Sequence, residues 1–171
     1  MSLMLDNYIL GGTADAIKID SSEDVSNGVL ALIGQSKRSI DIFSHSLDRR
    51  IYNSQAIYSA ALKLATYSRY SQIRIILKES NDVVKLGSRL VELSQRLSSR
   101  VFIRKPPIEY RDHNEEFLIA DDSGLIHRNL ATRYEGELCF YEPLKCRQLK
   151  KFFDECWEKS ASDPDLRRLH L

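Results

Sequence analysis

The side chains with most capacity for chemistry gather between His113 and Asn129, a stretch that reads HNEEFLIADDSGLIHRN. His113 and His127 are imidazoles able to move protons or act as nucleophiles near neutral pH. Around them stand Asn114, Glu115, Glu116, Asp121, Asp122, Arg128 and Asn129. A phosphodiester site needs cationic donors for the charge on phosphorus oxygens. Between Arg111 and Asp122 the chain instead sets one Arg against Asp112, Glu115, Glu116, Asp121 and Asp122. A polyanion brought to this stretch is repelled. A second group is His45 with His127, each at the end of an expected strand, converging with Glu116, Asp121 and Glu135 or Glu137. Such a group either holds a divalent ion or forms a satisfied polar cluster. Without a tight ligand spacing such as HxxxH the polar cluster is the better reading, and neither a metal nor a cofactor is expected.

The elements that must hold these residues are written locally. Phe117-Leu118-Ile119-Ala120 is a short apolar run closed by Asp121-Asp122-Ser123-Gly124, the pattern of a strand buried on both faces that leaves through a tight turn, and Leu125 to His127 returns beside it. Upstream, strands are expected at 16–19, 39–44, 73–77 and 101–103. Between them come helices from about Glu23 to Gln35, from an Asn53 cap through Leu64, and from Asn81 through Leu86, Leu90, Leu93 and Leu97. Downstream, 137–141 reads as a strand, and Pro143 opens a last helix that buries Leu149, Phe152, Phe153, Cys156 and Trp157. Strands alternating with helices predict an α/β fold, a mixed sheet sandwiched between helices.

With 171 residues the chain is long enough for one cored domain, expected at 15–160. Residues 1–14 read as an added leader plus an N-terminal extension broken at Gly11-Gly12, and 161–171 as a frayed C-terminal tail. The balance of 25 basic to 24 acidic residues argues against nucleic acid and anionic membranes as partners unless the cations gather on one face. The tyrosines are scattered rather than spaced as stacking platforms. No apolar run is long enough to span a bilayer. Cys139, Cys146 and Cys156 are odd in number and lack CxxC spacing, so buried free thiols in a reducing cytoplasm are expected.

The stretch around FLIADD, with Ser39-Ile40-Asp41-Ile42, Ile73-Arg74-Ile75-Ile76-Leu77 and Phe153-x3-Trp157-x2-Ser160 in order along 17–160, resembles one half of a phospholipase D-like fold. That superfamily carries HxK(x4)D, in which the His attacks phosphorus, the Lys holds phosphate and the Asp orients a His. Aligned on the apolar strand, Asp121 matches the Asp, but Asn114 stands for the His and Glu116 for the Lys. Sliding by one to use His113 puts Glu115 at the Lys and Ala120 at the Asp, a worse match. More narrowly, FLIADDSGLIHR, RYEGE and DPDLRRL are similar to a bacterial set of phospholipase D-like domains with degenerate motifs, some of which follow an acetyltransferase domain.

The resemblance therefore implies a catalytically degenerate domain acting as a binding or interaction module. A single-motif chain of this kind is expected to form a homodimer near the central hairpin, and an acetyltransferase-type protein is a further possible partner. The alternative is a phosphodiesterase or nuclease that has recruited His113, or His45 with His127. Ligand-binding candidates are Asn114, Glu116, Arg128, Asn129, Glu135 and Glu137. Arg74, Arg128 and Arg133 are the cations placed nearest the mouth, with Arg128 and Arg133 expected to pair with neighbouring carboxylates.

Overall fold

A computed structural model describes residues 3–167. Seven strands form one mixed sheet in the order β1-β7-β6-β5-β2-β3-β4, where β1 is Ile17–Ile19, β2 Ser39–Ser44, β3 Gln72–Leu77, β4 Val101–Arg104, β5 Glu116–Ala120, β6 Gly124–Arg128 and β7 Gly136–Cys139. Strands β2, β3 and β4 run parallel, connected through helices, while β5, β6, β7 and β1 pair antiparallel. The expected α/β sandwich with helices on both faces is the observed fold.

Strand alternation sorts the apolar residues into two cores. Ile40, Ile42, Ile73, Ile75, Leu118, Ile126 and Leu138 face a layer of helices, α1 (Ser22–Gln35), α2 (Arg49–Tyr52), α3 (Gln55–Ala65), α4 (Asn81–Leu86) and α5 (Arg89–Arg96). On the opposite face Phe43, Ile76, Phe117, Ile119 and Leu125 pack under a single long helix, α6 (Pro143–Lys159), through Cys146, Phe153, Cys156 and Trp157. All three cysteines are free and buried, and burial pushes the Cys146 thiol up to about 12, leaving it unreactive.

Several local readings change in the structure. The leucines read as one helix from Asn81 are divided at Gly87, whose φ of 80° ends α4, and Ser88 then caps α5 by accepting from the Val91 N–H. Ser54 rather than Asn53 caps α3, accepting from the Ile57 N–H at 3.1 Å. Leu149 and Phe152 are only partly buried, while Cys146 joins the face of α6 in their place.

The first and last described segments both lie against the domain. Leu5 is buried, the Gln35 side chain accepts from the Leu10 N–H and donates to the Tyr8 carbonyl, and the Tyr8 ring stacks on Phe140. After α6, Ala161 pairs with Lys105 beyond the end of β4, Asp163 is buried, and α7 (Pro164–Arg167) packs Leu166 on the core. The described part of the tail is thus docked rather than frayed. The remainder of the expected tail lies outside the described residues.

Candidate functional site at the hairpin mouth

The hairpin mouth is where β2, β3 and β6 end and β5 and β7 begin. Because side chains alternate across a strand, adjacent residues here reach opposite faces of the sheet. Glu116 and Arg128 are register partners that face the helical layer; Phe117 and His127 are partners that face α6.

On the helical side Glu116 and Arg128 form an ion pair, with side chains 4% and 3% exposed. The other Glu116 oxygen accepts from Ser44 Oγ at 3.0 Å and from the His45 N–H at 2.8 Å. Arg128 also donates to the Arg133 carbonyl at 2.7 Å, and its guanidinium lies 5.7 Å from the centre of the Tyr134 ring. Tyr134 in turn donates to Asp48 Oδ2 at 2.8 Å, and Asp48 caps α2 through the Arg50 N–H. Each charge has its partner and its neutral hydrogen bonds, which is what allows it to be buried. The expected pairing of Arg128 is present, and it is buried rather than exposed.

On the α6 side Glu115 bridges two imidazoles. One carboxylate oxygen meets His127 Nε2 at 2.5 Å and the other lies 3.3 Å from His113 Nε2. His113 stacks on Phe152 at 4.2 Å between ring centroids and meets Phe43 edge-on. Loss of water around the ring draws its pKa below the usual histidine value, with the Glu115 charge opposing. Lys78 Nζ holds the loop by donating to the Arg111 and His113 carbonyls. His113 is therefore built into the mouth, not a free surface histidine.

Beside this triad, His127, Asn129, Glu135 and Glu137 line a cleft of about 470 Å³ together with Lys18, Asp20 and Lys145. Four of the residues singled out from sequence thus converge. His45 and Asn114 do not enter this group: both are exposed, with the His45 N–H on Glu116 and the Asn114 carbonyl accepting from Ala131.

Asp121 is not part of the mouth. It lies at the far end of β5, roughly 17 Å from Glu116 at about 3.4 Å per residue. There its carboxylate accepts from the backbone N–H groups of Lys37, Arg38 and Ser39. Asp121 and Asp122 both adopt positive φ, 50° and 56°, a conformation Asp tolerates in a tight hairpin tip. The expected convergence of Asp121 with His45 and His127 fails for this reason. Arg74 also leaves the mouth: it bonds Asp41 at 2.8 Å and Asp154 at 2.9 Å in the middle of the sheet, under α6.

Sequence reasoning passed over Glu115 as a bridging group, along with Lys78, Phe152, Lys18 and Lys145. A signal for Glu115 was present, since period-two alternation sets it on the face opposite Glu116. Among the described residues no group of three His, Cys, Asp or Glu is arranged to hold a metal ion. None of their helices is long and apolar enough to cross a membrane.

The fold is shared with phospholipase D-like proteins. Nuc from Salmonella typhimurium, a phospholipase D family member, superposes with a TM-score of 0.64 at 12% identity, covering 87% of this chain and 97% of its own. NucT from Helicobacter pylori gives 0.63 at 15% identity, with 87% and 99% covered. TrmBL2, an archaeal chromatin protein whose structure shows a novel mode of DNA binding, gives 0.66 at 13% identity, with 93% of this chain but only 57% of TrmBL2 covered. No curated protein matches the sequence. Residues 21–169 match the domain of unknown function DUF7931, and the chain belongs to that family.

Proposed function

We propose that this chain is a phospholipase D-like domain that does not hydrolyse phosphodiesters and works as a binding or interaction module. The observation that carries the reading is Glu116. In the alignment on the apolar strand it stands for the superfamily's phosphate-holding Lys, and in the fold it is sealed with Arg128 behind the sheet. Arg128, the cation set against Glu116, is thereby neutralised and is not free to take over the part of that Lys in holding phosphate. The two imidazoles of the mouth have each Nε2 turned to Glu115 rather than to an incoming phosphorus. Bis(p-nitrophenyl) phosphate and a labelled oligonucleotide should show no turnover above the protein-free rate. Turnover that disappears in His113→Ala or His127→Ala, with folding retained, would establish a nuclease instead.

The same resemblance supports a homodimer joined near the hairpin. Exposed Ile108 and Leu130 flank the mouth and supply apolar surface for a second copy. Light scattering should give twice the chain mass; a monomer at high concentration removes the dimer without touching the non-catalytic reading.

A further inference from the structure

Three turns deliver the chain from the helical layer into the parallel strands: α1 to β2, α3 to β3 and α5 to β4. They lie side by side at the pole opposite the hairpin mouth and are joined directly. The Gln72 N–H donates to the Arg38 carbonyl at 3.0 Å, the Ile73 N–H to the Arg100 carbonyl at 2.9 Å, and Ser71 Oγ to the Lys37 carbonyl at 3.0 Å. Lys37, Arg38, Lys63, Arg69 and Arg100 are thereby collected on one surface. Among the described residues none of the five is ion-paired; the salt bridges all belong to other cations. Arg38 and Arg100 donate to backbone carbonyls, which orients their guanidinium groups without neutralising them. The adjacent Asp121 carboxylate is engaged by three backbone amides.

Two aromatic rings share this surface. Tyr67 and Tyr70 are 58% and 74% exposed, and the Arg69 guanidinium lies 4.8 Å over the Tyr70 ring while donating to its hydroxyl at 2.6 Å. Helix C-termini attract cations, which accounts for Lys37 and Lys63 but not for Arg69 or for two rings left in water. Unpaired cations interleaved with exposed rings suit a charged backbone carrying flat bases. A lipid surface suits them less, because the patch has no Leu, Ile or Trp to insert and its charges come from three turns, not one helical face.

We infer that this pole is a docking surface for single-stranded nucleic acid, with Lys37, Lys63 and Arg69 on phosphates and Tyr67 and Tyr70 stacking on bases. The inference does not depend on the chemistry of the hairpin mouth.

The test is fluorescence anisotropy of labelled oligo-dT titrated with the whole chain over a series of KCl concentrations, the probe being checked on a gel afterwards. Probe cleavage would overturn the non-catalytic reading of the mouth, and a catalytically silenced chain would then carry the binding test. Affinity should fall as salt rises. In Lys37→Ala/Lys63→Ala/Arg69→Ala the slope of log K against log salt should flatten by about 2, at about 0.7 for each phosphate contact removed. Tyr67→Ala/Tyr70→Ala should weaken binding at least about thirtyfold with the slope retained. A control at the other pole, Lys85→Ala/Lys159→Ala, should bind as the parent does. All seven side chains are exposed, so circular dichroism should be unchanged in every variant. Absence of binding at low salt, equal binding by the triple variant, or capture of phosphatidylserine vesicles but not of oligo-dT would each overturn the inference.

Discussion

Glu115 and Glu116 are neighbours in sequence, as are His127 and Arg128, yet each pair is split by the sheet. Glu116 and Arg128 meet on the helical side in a sealed, fully bonded ion pair, whereas Glu115 and His127 meet on the α6 side beside an open cleft. Similar chemistry has opposite consequences on the two faces. Behind five helices a charge is tolerated only with a partner, so the pair is a structural fixture. At the mouth of the α6 side, His113, Glu115 and His127 keep contact with solvent and stay available to a ligand.

The contrast is broken most easily at Arg128. Arg128→Ala strands the Glu116 charge in the core and should cost about 3–5 kcal/mol in urea unfolding, while Glu116→Leu/Arg128→Leu should recover most of that loss. A single-variant cost under about 1 kcal/mol would mean that the helical side is as open as the other. Glu115→Gln sharpens the difference from the opposite face: its partners are partly exposed, so stability should change by no more than about 1 kcal/mol. The smallest effect concerns His113. Its pKa is lowered in the folded chain, which then holds fewer protons than the unfolded chain. Stability from this group is complete above the ordinary histidine value of about 6.5 and is lost as pH falls from there through the lower folded value. Ring-resonance NMR should find His113 titrating below about 6.5, and Phe152→Ala should move it back up as water reaches the ring.

Much of the architecture was legible because it is written in short-range patterns. Ser39 to Ser44 was bounded to the residue, and the FLIADD strand, its turn and the returning strand stand where alternation and turn residues place them. The sequence predicts too long a third helix because leucines at helical spacing outweigh one glycine, although Leu86 is 61% exposed and Gly87 needs a left-handed backbone. Arg49–Tyr52 passed unseen because four residues show no period. At the site, the residue types were readable but their grouping was not. Asp121 was drawn to the histidines by its place in a motif, whereas strand length carries it to the far pole. Likewise Lys37, Lys63, Arg69 and Arg100 are separated along the sequence, and a near-neutral total conceals a patch that parallel strand register assembles.

The Glu116–Arg128 pair also constrains how the sequence can change. Glu116→Lys would set a second cation against Arg128 in the core, and replacing Arg128 first would leave Glu116 without its counterion. Either order passes through an intermediate with a buried, uncompensated charge, at a penalty comparable with a sizeable fraction of a domain's whole stability. The two positions are therefore expected to change together or not at all. In evolutionary terms the pair acts as a ratchet: a cation at position 116 is two coupled substitutions away, not one.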